Sequence, residues 1–304
     1  MLDVISVGNA TLDVFVHVAN RHLKSGKLCL EQGSKIEVDN ISFATGGGAT
    51  NTAVAFSRLG LKTGIVCALG KDESAKKILK ELKKEKVDCA GIAEIPKFKT
   101  AYSAILTGFG GDRVILTYGG ATGHLEKESL IKWKFLEKAQ WVYAGSFHSE
   151  PRLLKKIFGF ACEKGILVAW NPGKSELKQG IKKLRPLLEK TTVLFLNEEE
   201  AEMLARKKSA KGNLKKLQET VPLVIITLGA KGSIAFDGFK YYKQRAKRTK
   251  VLDTTGAGDA FNAGFLAGII KERGIAESLK LGSENSASVI KYGGAKNRLL
   301  RKKI

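Results

Sequence analysis

Short apolar runs alternate with segments of helical period along most of this chain, and that alternation restricts the fold more than any other feature. Residues 2–7, 63–69, 140–144, 166–170, 192–196 and 223–228 have the length and apolar content of buried strands. Helical patterns separate them at residues 49–59, 73–86, 151–163 and 198–206. Strand and helix in alternation predict an α/β fold, a mostly parallel sheet with helices on both faces. Two stretches break the rhythm. Across about residues 13–45 and 100–118 the alternation has period two, as in Val14, Val16 and Val18 or Ile36 and Val38, with turn residues between. These predict a small antiparallel sheet attached to the main body as a lid. With only 5 prolines, no low-complexity linker and no internal repeat, residues 1–304 read as one domain carrying that lid.

Composition narrows the function classes. A chain with 43% hydrophobic and 27% charged residues is globular rather than disordered or fibrous. Its 52 Lys plus Arg against 30 Asp plus Glu give a net charge of +22, a field that attracts nucleic acid, anionic membranes or phosphorylated metabolites without choosing among them. No groove-reading motif accompanies the basic segments, so nucleic acid is not the favoured partner. No apolar run approaches the roughly 18 residues of a membrane span. The N-terminus lacks the basic and apolar regions of a signal peptide, and Cys29, Cys67, Cys89 and Cys162 are isolated, without a CxxC pair. Together these predict a cytoplasmic protein. His17, His22, His124 and His148 show no metal-ligand spacing, and Arg113 reads as a solvated edge-strand charge. The basic tail with Lys296, Arg298, Arg301, Lys302 and Lys303 reads as solvated surface.

The strongest local signal is Asp253-Thr254-Thr255-Gly256-Ala257-Gly258-Asp259-Ala260-Phe261, which opens an apolar helix rich in small residues. A loop of small residues at a helix N-terminus presents unpaired N–H groups and partial positive charge, both suited to a phosphate. A carboxylate beside such a site suits proton abstraction from an attacking hydroxyl. Read in isolation, the same segment is equally a tight glycine turn with Asp259 complementing the helix dipole. A second segment, Thr45-Gly46-Gly47-Gly48-Ala49-Thr50-Asn51, also runs into a helix. Neither fits the Walker or dinucleotide patterns.

Taken together and in order, these motifs resemble the ribokinase-like, or PfkB, family of carbohydrate and nucleoside kinases. Gly8 to Asp13 is similar to the family's first strand and substrate aspartate. Gly46 to Asn51, with Arg58-Leu59-Gly60, is similar to its first signature. Asn197-Glu198-Glu199-Glu200 resembles its N-x-x-E element, Thr227 to Gly232 its T-x-G-x-x-G nucleotide loop, and Asp253 to Phe261 its second signature. The resemblance spans residues 2–295.

What the resemblance implies is a ribokinase-like three-layer sandwich that moves the γ-phosphate of ATP to a hydroxyl of ribose or a related small carbohydrate. A nucleoside is the alternative acceptor, and a sugar phosphate or a non-catalytic nucleic-acid-binding role are further ones. Asp259 would be the general base, with the backbone at Gly256, Ala257 and Gly258 as anion hole. Asp13, Gly46, Gly47 and Asn51 would hold the acceptor. Asn197, Thr227, Gly229, Gly232 and Asn285 would face the nucleotide, with Glu200 near Mg2+ through water. Asp253 and Thr255 resemble positions that hold a monovalent cation, potassium among them. The lid would suit a homodimer. Gly48-Ala49, Asn171-Pro172-Gly173 and residues 281–287 depart from the ribokinase pattern, which bears on the substrate more than on the reaction.

Overall fold

Six parallel strands form the spine of the molecule. The computed structural model describes residues 1–19, 22–109, 112–125, 130–146 and 152–302, so Pro151, His148, Gly111 and Lys303 lie outside the described residues. We label the strands of its two larger sheets β1 (Leu2–Val7), β2 (Thr11–His17), β3 (Asn40–Gly46), β4 (Thr63–Val66), β5 (Ala101–Phe109), β6 (Asp112–Tyr118), β7 (Ala139–Ala144), β8 (Leu167–Trp170), β9 (Val193–Asn197), β10 (Leu223–Thr227), β11 (Ser233–Phe236) and β12 (Tyr241–Gln244). The main sheet runs β12-β11-β10-β9-β8-β7-β1-β4. From β10 to β4 every pairing is parallel, and β11 and β12 add an antiparallel edge.

Side chains that alternate along the strands build two apolar layers. In β9, Leu194 and Leu196 join Trp170 and Phe158 on one face, while Phe195 joins Tyr143 and Phe265 on the other. Phe158 meets Trp170, and Phe195 meets Phe265, edge to face with ring centroids 5.5 and 5.6 Å apart. The second layer contains α1 (Gly48–Arg58), α2 (Glu73–Lys84), α4 (Ala257–Ile270) and α5 (Ile275–Val289), and α3 (Glu198–Ala205) lies against the first. Every residue of α4 from Ala260 to Gly268 is buried, so this helix is apolar all round, as a helix held between others must be.

The lid is a four-stranded sheet in the order β6-β5-β2-β3. It is antiparallel at β2–β3 and β5–β6, but its central pair β2–β5 is parallel. Both central strands enter from the body in the same direction, with Thr11 opposite Ala101. Ile36 and Val38, expected in a lid strand, lie in irregular chain before β3. The expected strand over residues 63–69 ends at Val66, and Ala68–Leu69 pairs elsewhere with Ala93–Glu94.

The basic tail departs most from the sequence expectation. Glu85 is only 7% exposed and accepts Arg58 Nε and Nη2 at 3.0 and 2.8 Å and Arg301 Nη2 at 2.9 Å. Arg58 also donates to the Lys296 carbonyl at 2.6 Å, and Lys302 N–H donates to the Arg58 carbonyl at 3.1 Å. Lys296 is itself buried and ion-paired to Glu81 at 2.7 Å. The buried carboxylate of Glu85 and the buried ammonium of Lys296 each need an opposite charge, which Arg58 with Arg301 and the partly buried Glu81 supply, because an unpaired buried charge is costly.

Replacing Glu85 by Ala strands the largely buried Arg58 guanidinium, and about 3–5 kcal/mol of stability should be lost near neutral pH. The two arginines hold the Glu85 carboxyl below its ordinary range. Its contribution is therefore present above that range and disappears as pH falls through the lowered value. Urea denaturation of both proteins across pH should show their difference shrinking toward acid; a constant difference contradicts the ion-pair account.

Candidate active site

Helix α4 opens at Gly256, whose φ of +75° is left-handed and whose α-carbon packs against Ala295 so closely that an added Cβ would lie 2.5 Å from the Ala295 Cβ. Only glycine meets both conditions. Ala257 N–H is directed to the Thr254 carbonyl at 3.1 Å, so of the three expected backbone donors this one is already engaged. The orphan donors of the first turn are then those of Gly258 and Asp259. The space around Gly258 is open, with no atom within 4 Å of the place a Cβ would take.

Asp259, the third residue of α4, accepts a hydrogen bond from Asn51 Nδ2 of α1 at 2.8 Å. Burial pushes its carboxyl up to about 6; the Asn51 bond and the Lys296 ammonium oppose that rise. The other amide atom of Asn51, Oδ1, is buried without a partner among the described residues, and so is Oδ1 of Asn9 at the end of β1. The Asn51 acceptor beside the Asp259 carboxylate calls for an O–H or N–H donor from a bound molecule, since native buried polar atoms are nearly always paired.

Asp13 comes from β2 of the lid. Thr11 Oγ1 donates to it at 2.8 Å and the Ser103 hydroxyl also bonds it, while burial raises its pKa from the ordinary value. A side chain at Gly46 would occupy the place of this carboxylate. Gly47 is the N-cap of α1, and Thr50 Oγ1 donates to the Gly46 carbonyl at 2.6 Å. Asp13, Gly46, Asn51 and Asp259 are thus drawn from the lid, the glycine turn and the two helix starts.

Residues paired across the lid share a face. Asp13, Phe15, Ser103, Ile105 and Ile115 lie on one, and Val14, Phe43, Ala104 and Leu116 on the other. From the edge strand β6, Arg113 reaches back to the loop before α4, with Nη1 3.3 Å from Thr254 Oγ1 and 3.8 Å from Asp253 Oδ1. The arginine expected to be solvated therefore ties lid to body. Asp253 Oδ1 also accepts Thr255 N–H and Oγ1–H at 2.9 and 2.7 Å, and Oδ2 accepts Gly294 N–H at 2.9 Å.

On the other side of the first turn of α4 lies a cavity of about 510 Å³, bounded by Thr227, Gly229, Gly232, Ser233, Gly258 and Ser286 among others. The buried Ser233 Oγ has no partner among the described residues. Lys247 and Arg248 border this cavity, and Lys243, Arg245 and Lys250 flank them in sequence, a basic rim that favours a polyanion.

Three expected contacts look different in three dimensions. Asn285 is fully buried, donating to the Ala260 carbonyl at 2.8 Å and accepting Leu300 N–H at 3.0 Å. It pins α5 to α4 and the tail, and Ser283, Ser286 and Ala287 line the cavity instead. Asn197 and Glu200 form a reciprocal capping box at α3, both bonds 2.8 Å. Burial raises the Glu200 carboxyl above the ordinary range. Sequence reasoning did not single out Lys296, Glu81 or the buried chain in which Asn262 Nδ2 donates to Tyr143 Oη at 3.0 Å and Asn171 Oδ1 at 3.1 Å. The small residues Gly293-Gly294-Ala295 just before Lys296 were the available signal, because such runs mark close backbone approach.

The profile of the pfkB family carbohydrate kinases matches residues 1–302. The chain belongs to this family. It is 27% identical over 303 residues to an ATP-dependent 6-phosphofructokinase of Thermoanaerobacterium thermosaccharolyticum, covering 96% of this chain and 89% of that one. Its fold matches Arabidopsis thaliana ribokinase, solved with ribose and ATP, with TM-score 0.86 at 22% identity over 98% of this chain and 96% of that one. It also matches the nucleoside kinase of Methanocaldococcus jannaschii, with TM-score 0.82 at 24% identity over 99% and 95%. As a pfkB kinase the protein is a phosphotransferase with a hydroxyl acceptor.

If Asp259 is the base, Asp259→Asn should cut turnover by about 10²–10⁴-fold with little change in the KM for the phosphate donor. The acid limb of wild-type kcat/KM should fall near pH 6, the value at which Asp259 is half protonated. A raised carboxyl pKa makes the native state hold its proton more tightly, so stability falls as pH rises between the unfolded value and about 6. The variant should accordingly be the more stable protein at pH 8, by thermal denaturation, and lose that advantage in acid. Unchanged turnover in the variant removes Asp259 from the chemistry.

Proposed function

We propose that this kinase transfers the γ-phosphate of ATP, with Mg2+, to a hydroxyl of ribose or a related small carbohydrate. The observation that carries the reading is the Asn51–Asp259 pair, held at 2.8 Å between two helix starts, with the free Asn51 Oδ1 buried beside it. A polyol hydroxyl placed there would donate to Asp259 and lie over the open first turn of α4. Asp13 and Asn51 would fix neighbouring hydroxyls, and the carboxylate need only accept a proton late, since positioning and charge stabilisation carry most of phosphoryl transfer.

The 510 Å³ cavity suits a nucleotide in size and in its unpaired Ser233 hydroxyl. In this reading the triphosphate passes Gly229, Gly232 and Thr227 toward Gly258. Mg2+ would travel mainly with the phosphates and water, with Asn197 and Glu200 as outer partners, in keeping with its reluctance to dehydrate. A potassium ion at Asp253 and Thr255 would share that carboxylate with Arg113.

A second reading, a nucleoside acceptor, is favoured by the lid face that carries Asp13. Beyond that carboxylate it offers Phe15 and Ile115, apolar surface suited to a base. The discriminating measurement is donor turnover with ATP and Mg2+ against free sugars, nucleosides and sugar phosphates, with and without potassium. Strong preference for a free pentose or hexose is the expected result. Turnover confined to nucleosides transfers the assignment to the second reading, and turnover confined to phosphorylated sugars overturns both.

The opposite lid face exposes Ile41, Phe43, Val114, Leu116 and Tyr118, with Phe43 and Leu116 more than half exposed. We propose that two copies pair through this face, which is apolar and borne by the same strands in each. Light scattering should give a dimer for the wild type and a monomer for Phe43→Lys/Leu116→Lys. A monomeric wild type at micromolar concentration rejects the pairing.

A further inference from the structure

Lys296 is a buried cation that the expected reaction does not use. Its side chain is 6% exposed. Its Nζ lies 2.7 Å from Glu81 Oε2 of α2 and 3.1 Å from Thr50 Oγ1 of α1, and it donates to Thr45 Oγ1 at the end of β3. Thr50 in turn bonds the carbonyls of Gly46 and Gly47, at 2.6 and 3.1 Å. The ammonium is therefore wired to the glycine turn from behind. The residues just before it are equally placed: Gly294 N–H bonds Asp253, and Ala295 packs on Gly256. One short segment thus touches both the turn that begins α1 and the loop that begins α4.

We propose that Lys296 is a positioning residue for the phosphoryl transfer: its buried ammonium fixes the Gly46–Gly47 turn against the start of α4 and supplies the positive charge behind the two carboxylates of the cleft. The inference rests on Asp259 as base. Among the described residues the charged groups around the ammonium are Glu81 from α2, Asp13 from β2, Asp259 from α4 and Arg58 from α1, and Lys77 of α2 lines with Glu81 and Lys296 a second, separate cavity of about 320 Å³. Asp259 is faced by Lys296 and, behind it, by the neutral Tyr143 hydroxyl. Burial draws the Lys296 pKa below the ordinary lysine value, opposed by Glu81. Its charge lowers the proton affinity of both Asp13 and Asp259. Without it, of these influences only the Asn51 bond would oppose the effect of burial on Asp259, and a larger fraction would be protonated near neutral pH.

The test compares wild type, Lys296→Arg, Lys296→Met and the double variant Glu81→Gln/Lys296→Met, each checked for folding by circular dichroism, in the pH dependence of kcat/KM for the acceptor. Lys296→Met strands the Glu81 carboxylate, so an unfolded single variant is accommodated by the double variant, in which no charge is left unpaired. The expected result is an acid limb moved up by about one pH unit in the Met variants, with kcat/KM down about fivefold at pH 6. Lys296→Arg, which keeps the charge, should retain the wild-type limb. A folded double variant with the wild-type limb overturns the proposal, whatever its absolute rate, because a merely structural lysine would change rate without moving the profile. Failure of the underlying reading looks different: Asp259→Asn would then turn over like wild type.

Discussion

A carboxylate that has lost its water at the start of an apolar helix is the constraint around which the rest of the cleft is arranged. Desolvation alone would leave Asp259 protonated and useless as an acceptor of protons, and the fold surrounds it with opposing influences. The N-terminus of α4 contributes partial positive charge, Asn51 a hydrogen bond, and Lys296 a full charge. The outcome, a group near pH 6, is ionised in neutral solution yet retains more proton affinity than a solvated aspartate. That balance needs α4 to stay where it is. The helix is held by apolar contacts on all sides and by polar pins from Asn262 to Tyr143 and Asn171 and from Asn285 to Ala260.

The lid answers a different requirement. A phosphoryl donor in a wet site loses its phosphate to water, so the acceptor has to be enclosed before transfer. Asp13 sits on the lid rather than on the body, so that in the proposed reading binding the acceptor and closing over it involve the same strand. Arg113 adds a tie from the lid edge to Asp253 and Thr254, in the loop that leads to Asp259. Lid position and the geometry of the loop ahead of α4 are therefore mechanically connected.

How far the sequence could be read follows from the range of each interaction. The parallel sheet was legible because strand and helix periods are local, and the starts of α1 and α4 were legible because glycine-rich turns need particular residues in succession. The pairing of Asn51 with Asp259 across 208 positions had no local trace, and the family resemblance alone brought these residues to one site. Asn285 illustrates the reverse. Its amide suited a ligand on paper, but α5 turns it inward, where it bonds two backbone groups. Lys296 was misread with the rest of the tail because a run of lysines and arginines normally stays in water. The small residues Gly293-Gly294-Ala295 before it signal a close backbone approach, but they do not reveal that Glu81 and Glu85, more than 200 positions earlier, are the partners of this tail. Periodicity also could not show that β2 and β5 pair in parallel, since alternation is the same in either direction.

The tail gives this architecture its coherence. Residues 46–51 and 253–259 reach the cleft from distant parts of the chain, and no strand of the main sheet joins them. Beside the direct Asn51–Asp259 bond, a second link is made by residues 293–302: Gly294 and Ala295 touch the loop before α4, Lys296 the glycine turn, and Arg301 the carboxylate that also holds Arg58 of α1. The last residues of the chain therefore complete a site whose chemical groups were all supplied earlier. Within that basic segment, Lys296 and Arg301 match the carboxylates of Glu81 and Glu85, so part of its charge answers needs inside the molecule.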